Sequence, residues 1–360
     1  MSLPFFNTRA KRRDEVIAID LGSRHTKAVH VQNKGECLHL VSYTIQDSPS
    51  DVSAAASVEV LAEHLKSISR ALGEGTKTVV VSLGVADTVV RRAEMPPMPV
   101  NDMRQLLKFN TKNYLQQDLP DHVFDCSVVL PRTVTGVDGK PETNKHSAGQ
   151  KQQLIVGASK RQLVEDVASA IREAGLSAAQ VVPGLIGSLN AFEVSEPEVF
   201  AHEAVALVDL GFRNTTISIL KQGELVMHRV VNMGGDKITD GLAHSMGISY
   251  AEAEGIKLGM AAEVQAALEP LVGALGRELR AFIDFFEHQE DVAVSQVFVS
   301  GGSARGELLV QALQLEMLVP CRSWNPAKTF NVLLAPEQSA EFASVSPQLA
   351  VAVGAALSAL

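Results

Sequence analysis

Two stretches of the chain, 189 residues apart, share one alternation of apolar and polar positions. Residues 16–31 read VIAIDLGSRHTKAVHV, and residues 205–220 read VALVDLGFRNTTISIL. Each copy is a β-branched run, an Asp-Leu-Gly turn, a second alternating run and, after a Gly-Glu turn, a third apolar run, which is the pattern of half-buried strands. The pattern predicts two antiparallel meanders in two related domains. The identical residues are Val16, Asp20, Leu21, Gly22, Arg24 and Thr26, matched with Val205, Asp209, Leu210, Gly211, Arg213 and Thr215.

Periodicity and turn residues predict the other elements. Helices are predicted over 57–72, 101–116, 161–174, 181–192, 237–245, 250–258, 268–287, 306–315 and 347–360, and strands over 79–83, 88–93, 124–130, 153–158 and 296–300. Residues 79–176 look like a small α/β insert, and the apolar stretch 181–192 looks like a helix that returns the chain to the main body. The polar loop 131–150 is the best candidate for local disorder.

The composition narrows the class of protein. The chain has 360 residues, which exceeds the roughly 250–300 at which a single core stops growing, so more than one domain is expected. It is 46% hydrophobic, with a formal net charge of −9 from 32 Lys and Arg and 41 Asp and Glu. An acidic balance without a basic block argues against a nucleic-acid partner, because phosphate contacts need clustered Lys and Arg. The odd, widely spaced cysteines Cys37, Cys126 and Cys321 predict a reducing compartment.

The chain has no segment that predicts a membrane span, since its most apolar stretches are shorter than the roughly 18–20 residues that a bilayer requires. The N-terminal sequence MSLPFFNTRAKRR lacks the apolar core of a signal peptide. Residues 1–13 are interpreted as a flexible basic segment, either a solvated tail or a contact for an anionic membrane surface or a partner. A soluble, cytoplasmic protein is expected.

The Asp-Leu-Gly turns have the chemistry of a phosphate site. A glycine lets backbone N–H groups approach a phosphate chain closely, and an aspartate before the turn can hold Mg²⁺ through water. Asp20 and Asp209 are therefore candidate Mg²⁺ residues, and Lys27 could reach a β-phosphate. A single turn of this kind is usually only structural, and the presence of two favours a nucleotide site. The other candidates in these turns are Gly22, Ser23, Gly211 and Thr215.

Two later segments could hold the nucleoside. Gly301, Gly302 and Ser303 follow an apolar strand and precede a predicted helix. The glycines leave room for adenine or ribose, and the helix start offers N–H groups to phosphate; the alternative is a plain helix-entry turn. Glu254 and Lys257 lie three residues apart on one helix face, where they could contact ribose and adenine edges or form an ordinary surface ion pair.

The order of these segments resembles the actin-like ATPase superfamily, which includes actin, the heat-shock chaperones, sugar kinases and FtsA. The resemblance covers nearly the whole chain. It implies an α/β fold of the duplicated ribonuclease H-like type, with two lobes around ATP or ADP and Mg²⁺. The corresponding segments are the phosphate loops 20–27 and 209–216, the connecting helices 183–192 and 349–360, and the adenosine motif 297–303.

Within the superfamily, the sequence most resembles the PilM family of type IV pilus assembly proteins. The residues that carry the likeness are AIDLGS at 18–23 with Lys27, RRAEMPPM at 91–98, VDLG at 208–211, Arg229 with GGDKIT at 234–239, and IS at 248–249 with Ala253, Glu254 and Lys257. The likeness adds Gly234 and Gly235 to the candidate nucleotide residues. Arg24, His25 and Phe212 are larger than the residues expected at these positions of the two loops.

The resemblance implies a cytoplasmic ATP-binding scaffold, peripheral to the inner membrane. Its partner would be a PilN-like single-pass membrane protein, bound through its cytoplasmic N-terminal segment. We predict the partner surface beside the 96–99 turn and the 101–116 helix, where ordinary core packing is the alternative. The implied division is a flexible segment 1–13, a lobe IA of 14–78 with 177–200 and 335–360, an FtsA-type 1C insert of 79–176, and a lobe II of 201–334 with a helical IIB part near 246–292.

Two other functions share this fold. A kinase of the superfamily needs a carboxylate base near the γ-phosphate, and Asp236 could act as one, but no large substrate-recognising insert is visible. An FtsA-like cell-division homologue would carry a C-terminal amphipathic membrane helix beyond a linker, whereas this chain ends in an apolar helix. Catalytic residues stay unassigned, because 183–192 offers Ser188 and Asn190 but no acid. We predict nucleotide binding with slow turnover at most.

Overall fold

The computed structural model of the chain describes residues 6–7, 13–35, 37–49, 56–73, 75–129, 134–135, 141–142, 151–259 and 261–360. The strands are β1 Phe6–Asn7, β2 Glu15–Leu21, β3 His25–Lys34, β4 Cys37–Asp47, β5 Thr78–Leu83, β6 Thr88–Met95, β7 His122–Val128, β8 Val134–Thr135, β9 Pro141–Glu142, β10 Gln152–Lys160, β11 Ser177–Pro183, β12 Ala204–Leu210, β13 Thr215–Lys221, β14 Glu224–Val231, β15 Gln296–Ser300, β16 Cys321–Ser323 and β17 Asn331–Val332. The helices are α1 Val58–Ala71, α2 Val100–Phe109, α3 Thr111–Leu115, α4 Arg161–Glu173, α5 Gly184–Ser195, α6 Pro197–His202, α7 Gly235–Met246, α8 Tyr250–Gly259, α9 Ala261–Glu290, α10 Glu307–Met317, α11 Pro336–Val345 and α12 Ala350–Leu357, with 3₁₀ turns η1 Gly302–Arg305 and η2 Ser346–Leu349.

The two large sheets repeat one strand order. In the first sheet β4, β3, β2, β5 and β11 lie side by side, with β17 and β1 added at the two edges, and in the second β14, β13, β12, β15 and β16 do so. In both, three antiparallel strands form a meander and two later strands run parallel to the first. The predicted duplication into two α/β lobes is confirmed.

Two apolar helices cross between the lobes. α12 packs along α5 and also against β2, β3 and β5 of the first sheet. α5 reaches the second lobe through Phe192, whose ring stacks edge-on against Phe298 with centroids 4.7 Å apart. Where the helices cross, a Cβ on Gly187 would lie 2.6 Å from the Val351 carbonyl oxygen, so the backbones touch directly. One core therefore joins the lobes through this helix pair.

The insert is a separate sheet with its own core. Its strands lie in the order β6-β10-β7, and α2 and α3 pack against it around Met95, Met103 and Leu107. In contrast, β5 is hydrogen-bonded between β2 and β11, and α4 packs against α1 on the first large sheet. Because β5 and α4 pack with the first lobe, we propose 84–160 as the insert in place of the predicted 79–176.

The main difference from the predicted elements lies at 181–192. Ser177–Pro183 is the strand β11, and the helix α5 begins only at Gly184. An apolar run in a buried parallel strand has no periodicity that separates it from a buried helix. The helix predicted over 101–116 is also interrupted, because Asn110 leaves helical geometry with φ of −134°. The short elements α6, α11, β16 and β17 were not predicted.

Two predicted segments are only partly among the described residues. For the flexible basic segment 1–13, residues 1–5 and 8–12 lie outside them, while Phe6–Asn7 pairs antiparallel with β11. Most of the loop 131–150 also lies outside them, and the two described pieces, β8 and β9, pair with each other.

One helical stretch among the described residues is long and apolar enough to cross a membrane by length and composition. This stretch, Pro336–Leu357, has 67% of its apolar window buried inside the fold. Its C-terminal part is α12, which packs against α5. The apolar character of the stretch is therefore explained by its place in the core.

Candidate functional site

Both Asp-Leu-Gly turns open onto one cleft between the lobes. Asp20 and Asp209 each lie one residue before the end of a strand, β2 and β12. After each strand the backbone turns back into the antiparallel neighbour, β3 or β13. A Cβ on Gly22 would lie 2.5 Å from the carbonyl oxygen three residues later, and one on Gly211 would lie 2.8 Å from the equivalent oxygen. A side chain at either position would clash with the backbone, so both turns require glycine.

Three charged side chains meet at the floor of this cleft. Lys27 lies opposite Asp20 in the strand register and donates a hydrogen bond to Asp20 Oδ2 at 3.0 Å. Burial alone would lower the pKa of Lys27, but the carboxylates of Asp20 and Asp209 raise it above its usual value. Burial raises the pKa of Asp209, which accepts a hydrogen bond from Ser300 Oγ at 3.2 Å. Lys27 would therefore have to share its charge between Asp20 and the predicted phosphate.

The turn after β15 closes the cleft on a third side. Gly301 has φ of 96°, which favours glycine, and a Cβ there would lie 2.5 Å from the Leu210 carbonyl oxygen. Gly301 thus packs directly on the second Asp-Leu-Gly turn, while Gly302 lines the cleft. The predicted helix start is not adjacent, because η1 intervenes and α10 begins only at Glu307.

A buried ion pair lies behind the second turn. Lys257 Nζ donates hydrogen bonds to Glu254 Oε2 at 2.8 Å and to Thr239 Oγ1 at 2.7 Å. Burial lowers the pKa of Lys257. Burial alone would raise the pKa of Glu254, but the hydrogen bonds from Lys257 and Thr239 lower it below its usual value. The Gly235 N–H donates to the Gly211 carbonyl at 2.9 Å. The pair is therefore a buried network tied to the turn, not a surface ion pair.

The structure brings eight of the sequence-predicted residues to the cleft wall: Asp20, Gly22, Ser23, Lys27, Asp209, Gly211, Gly301 and Gly302. Behind that wall lie the other predicted residues of the second lobe, Gly234, Gly235, Glu254, Lys257 and Ser303. Thr215 faces away from the cleft, since its buried hydroxyl donates to the Met233 carbonyl at 2.6 Å. Thr216 lines the cleft instead, because adjacent strand residues point to opposite faces.

Sequence reasoning missed Gln348, which lies in η2 just before α12. This side chain is buried at the cleft wall, and its Nε2 has no hydrogen-bond partner among the described residues. A buried amide without a partner is destabilising unless a ligand or water accepts from it. Gln348 is thus a candidate donor to a bound ligand, and no local sequence motif signals it. Ser188 also lines the cleft, but its hydroxyl donates back to the Leu185 carbonyl at 3.0 Å.

The donor set at the cleft suits Mg²⁺ better than a transition metal. Among the residues that the structure describes, no group of three or more His, Cys, Asp and Glu side chains could hold a metal ion. Mg²⁺ is commonly held by one or two carboxylates together with waters and substrate phosphates. Asp20 and Asp209, both at the cleft wall, fit that pattern.

Solved structures match nearly the whole chain. A chain of the PilM-PilN type IV pilus biogenesis complex is 22% identical, with a TM-score of 0.82 over 96% of this chain and 98% of that one. The ethanolamine utilization protein EutJ from Carboxydothermus hydrogenoformans is 14% identical, with a TM-score of 0.56 over 98% and 92%. MreB 5 of Spiroplasma citri bound to AMPPNP is 11% identical, with a TM-score of 0.51 over 96% of both chains. With the duplicated sheets, the crossing helices and the three-turn cleft, these matches define an actin-like ATPase fold.

The family model for the type IV pilus assembly protein PilM matches residues 18–360. The chain therefore belongs to the PilM family, and the predicted resemblance is confirmed. A curated relative, the cell division protein FtsA of Bacillus subtilis (strain 168), is 22% identical over 263 residues. That match spans 67% of this chain and 57% of the relative's length. The family match favours neither the kinase nor the FtsA-like alternative. Asp236, the residue considered as the base of a kinase, accepts a hydrogen bond from the Tyr250 hydroxyl at 2.7 Å.

Proposed function

We propose that this chain is a nucleotide-binding scaffold of type IV pilus assembly, with ATP or ADP and Mg²⁺ in the cleft between its lobes. The observation that carries the nucleotide assignment is the convergence of three glycine turns, at Gly22, Gly211 and Gly301, on one cleft. Backbone N–H groups at such turns bind phosphate oxygens well. MreB 5, which shares the fold, is bound to AMPPNP, and this supports a nucleotide as the ligand.

In this proposal each wall of the cleft has one task. Asp20 and Asp209 hold Mg²⁺ through water, and the ion neutralises part of the phosphate charge when it is bound. Ser23 and the backbone of the first turn hold the terminal phosphates, while Gly302 and Gln348 face the nucleoside end. The connecting helix presents Ser188 rather than a carboxylate to the cleft, so this helix offers no general base to position water, and we expect slow turnover at most.

Isothermal titration of the wild type with ATP and Mg²⁺ is expected to show one saturable site per chain. Ser23→Ala is expected to weaken the affinity about tenfold, since a hydrogen bond to a charged group contributes about 1.5–3 kcal/mol and tenfold is about 1.4 kcal/mol. Thr215→Val is the matched control, because it removes a hydroxyl that faces away from the cleft. An absence of heat from the wild type contradicts the nucleotide site, and an equal loss in both variants contradicts the role of Ser23.

We also propose that the scaffold binds the cytoplasmic N-terminal segment of a PilN-like single-pass membrane protein. Membership of the PilM family and the fold shared with a chain of the PilM-PilN complex support this partner. The chain would then lie on the cytoplasmic side of the inner membrane and be attached to it through the partner.

The insert carries the partner surface in this proposal. Phe109, at the C-terminal end of α2, is 75% exposed, although Met103 and Leu107 of the same helix are fully buried. The Lys108 ammonium lies 5.7 Å from the centre of the Phe109 ring. An exposed aromatic side chain beside a cation is a common anchor in protein interfaces. It lies on the helix that we predicted to border the partner surface.

The insert can be excised without cutting either large sheet, because Thr88 and Ser159 are register partners where β6 and β10 meet the first lobe. A variant in which a short Gly-Ser linker replaces residues 88–159 loses Val90 and Ile155 from the core of the two lobes but keeps every residue that lines the cleft, so it is expected to retain ATP affinity. Its affinity for a synthetic peptide with the N-terminal sequence of the PilN-like protein should fall about tenfold in fluorescence anisotropy. Phe109→Ser in the full chain should give a smaller loss. Unchanged peptide affinity in both variants contradicts the proposed surface.

A further inference from the structure

Two residues that are larger than expected in the Asp-Leu-Gly turns touch each other across the cleft. Arg24 follows Ser23 in the first turn, and Phe212 follows Gly211 in the second. The guanidinium carbon of Arg24 lies 5.0 Å from the centre of the Phe212 ring, and Arg24 Nη1 lies 3.4 Å from the Tyr250 hydroxyl. Arg24 and Phe212 both line the cleft. The contact therefore joins the two lobes at the predicted phosphate end of the site.

Arg24 makes no salt bridge among the described residues, although its charge interacts with the nearby Glu254 carboxylate. A guanidinium has five N–H donors, and among the described residues this one makes a single, long hydrogen bond, to Tyr250. The aromatic face of Phe212 adds a cation–π contact that solvent screens in part. A phosphate would offer two parallel charge-assisted hydrogen bonds, each about twice as strong as a neutral one. A bound phosphate therefore competes successfully for Arg24.

The charge balance of the cleft favours the same exchange. Lys27 is already paired with Asp20 at 3.0 Å, and Asp209 adds a second carboxylate. Burial lowers the pKa of His25, so its ring is neutral near pH 7. Apart from the proposed Mg²⁺, the positive charge available to a phosphate chain at the cleft wall therefore comes mainly from Arg24 and Arg213.

The cleft is small for a nucleotide, so binding requires a movement of the lobes or of a side chain. Its volume is about 160 Å³, below the roughly 300 Å³ of the smaller ligand pockets in proteins. A nucleotide therefore needs either wider separation of the lobes or removal of a side chain from the cleft. Release of Arg24 from Phe212 frees a side chain that lines the cleft and removes one contact between the two lobes.

We propose that Arg24 is a clasp between the lobes, whose guanidinium moves from Phe212 and Tyr250 to the phosphates of a bound nucleotide. The clasp rests on the proposed nucleotide function and describes how nucleotide binding would be linked to the contact between the lobes. When a nucleotide binds, Arg24 exchanges its contact with the second lobe for a contact with phosphate. Tyr250 keeps its position after the exchange, because its hydroxyl donates to Asp236 Oδ1 at 2.7 Å.

Variants of the two contacting residues test the clasp, because they should have different effects on ATP affinity. Arg24→Ala is expected to weaken Mg–ATP binding at least tenfold by titration calorimetry. Phe212→Ala, which removes only the competing partner, should bind as tightly as the wild type or a few-fold more tightly. Hydrogen exchange at 211–214 in nucleotide-free protein should be faster in both variants, since both open the clasp. Arg24→Lys, which keeps the charge but lacks the planar fork, should lie between Arg24→Ala and the wild type.

The matched control is Arg322→Ala. Arg322 also lies over a phenylalanine ring, that of Phe298 at 4.4 Å, but it does not line the cleft, so ATP affinity should not change. Wild-type affinity in Arg24→Ala overturns the clasp, and so does an equal loss in Phe212→Ala. If circular dichroism shows that Arg24→Ala is unfolded, the ATP affinities of Arg24→Lys and Phe212→Ala decide whether the clasp exists. Failure of the wild type to bind ATP is a different result, which removes the proposed function itself.

Discussion

Gly354→Val is expected to destabilise the protein by at least about 4 kcal/mol, and urea titration followed by circular dichroism would measure the loss. Gly354 in α12 lies directly against Gly187 in α5, and a Cβ at 354 would overlap the Gly187 carbonyl oxygen. The obstacle is backbone, which cannot rotate away as a side chain can. Overpacking of a core usually costs about 1–3 kcal/mol, and here the two helices must also separate. Because this pair joins the lobes, its separation disrupts the core that both lobes share.

Gly255→Ala is the matched control for that experiment. Gly255 also lies in a helix, α8, but a Cβ there would meet no atom within 4 Å. Alanine should stabilise an exposed helix position by about 0.5–1 kcal/mol relative to glycine. Wild-type stability in Gly354→Val would contradict the close crossing of α5 and α12.

The repeat made the two meanders and the Asp-Leu-Gly turns predictable, because its signals are local. Alternation over β2–β3 and β12–β13 is a property of neighbouring residues, and the tight hairpins need glycine whatever surrounds them. Asp20 and Asp209 could be placed for the same reason, since each sits at a fixed offset from its turn.

The features that depend on distant segments could not be predicted. β11 is as apolar as the helix that follows it, and only its pairing with β5 distinguishes the two. The amphipathic pattern of α4 does not say which sheet it covers. Gln348 and the contact between Arg24 and Tyr250, 226 residues apart, depend on how the lobes meet. A single sequence carries no signal for such contacts.

Asp209→Asn is expected to stabilise the nucleotide-free protein while it weakens Mg–ATP binding. Burial raises the pKa of Asp209 in the folded state. A raised carboxyl pKa means that the folded protein binds the proton more tightly than the unfolded chain. The free energy of unfolding therefore falls as the pH rises from the unfolded to the folded pKa, and it stays reduced above that window. Asparagine removes this penalty, so we expect a higher free energy of unfolding near pH 7 than in the wild type.

The same substitution removes one of the two carboxylates assigned to Mg²⁺, so the affinity for Mg–ATP should fall at least about 100-fold, or about 2.7 kcal/mol. Urea titration at several pH values would show the stability difference from the wild type shrink as the pH falls, and calorimetry would give the affinity. Asp87→Asn is the matched control, because burial also raises the pKa of this cleft-lining carboxyl, but we assign it no metal contact. It should show a stability gain with unchanged Mg–ATP affinity. A loss of affinity in Asp87→Asn equal to that in Asp209→Asn would contradict the assignment, because the affinity would then depend on the charge of the cleft and not on a metal ligand.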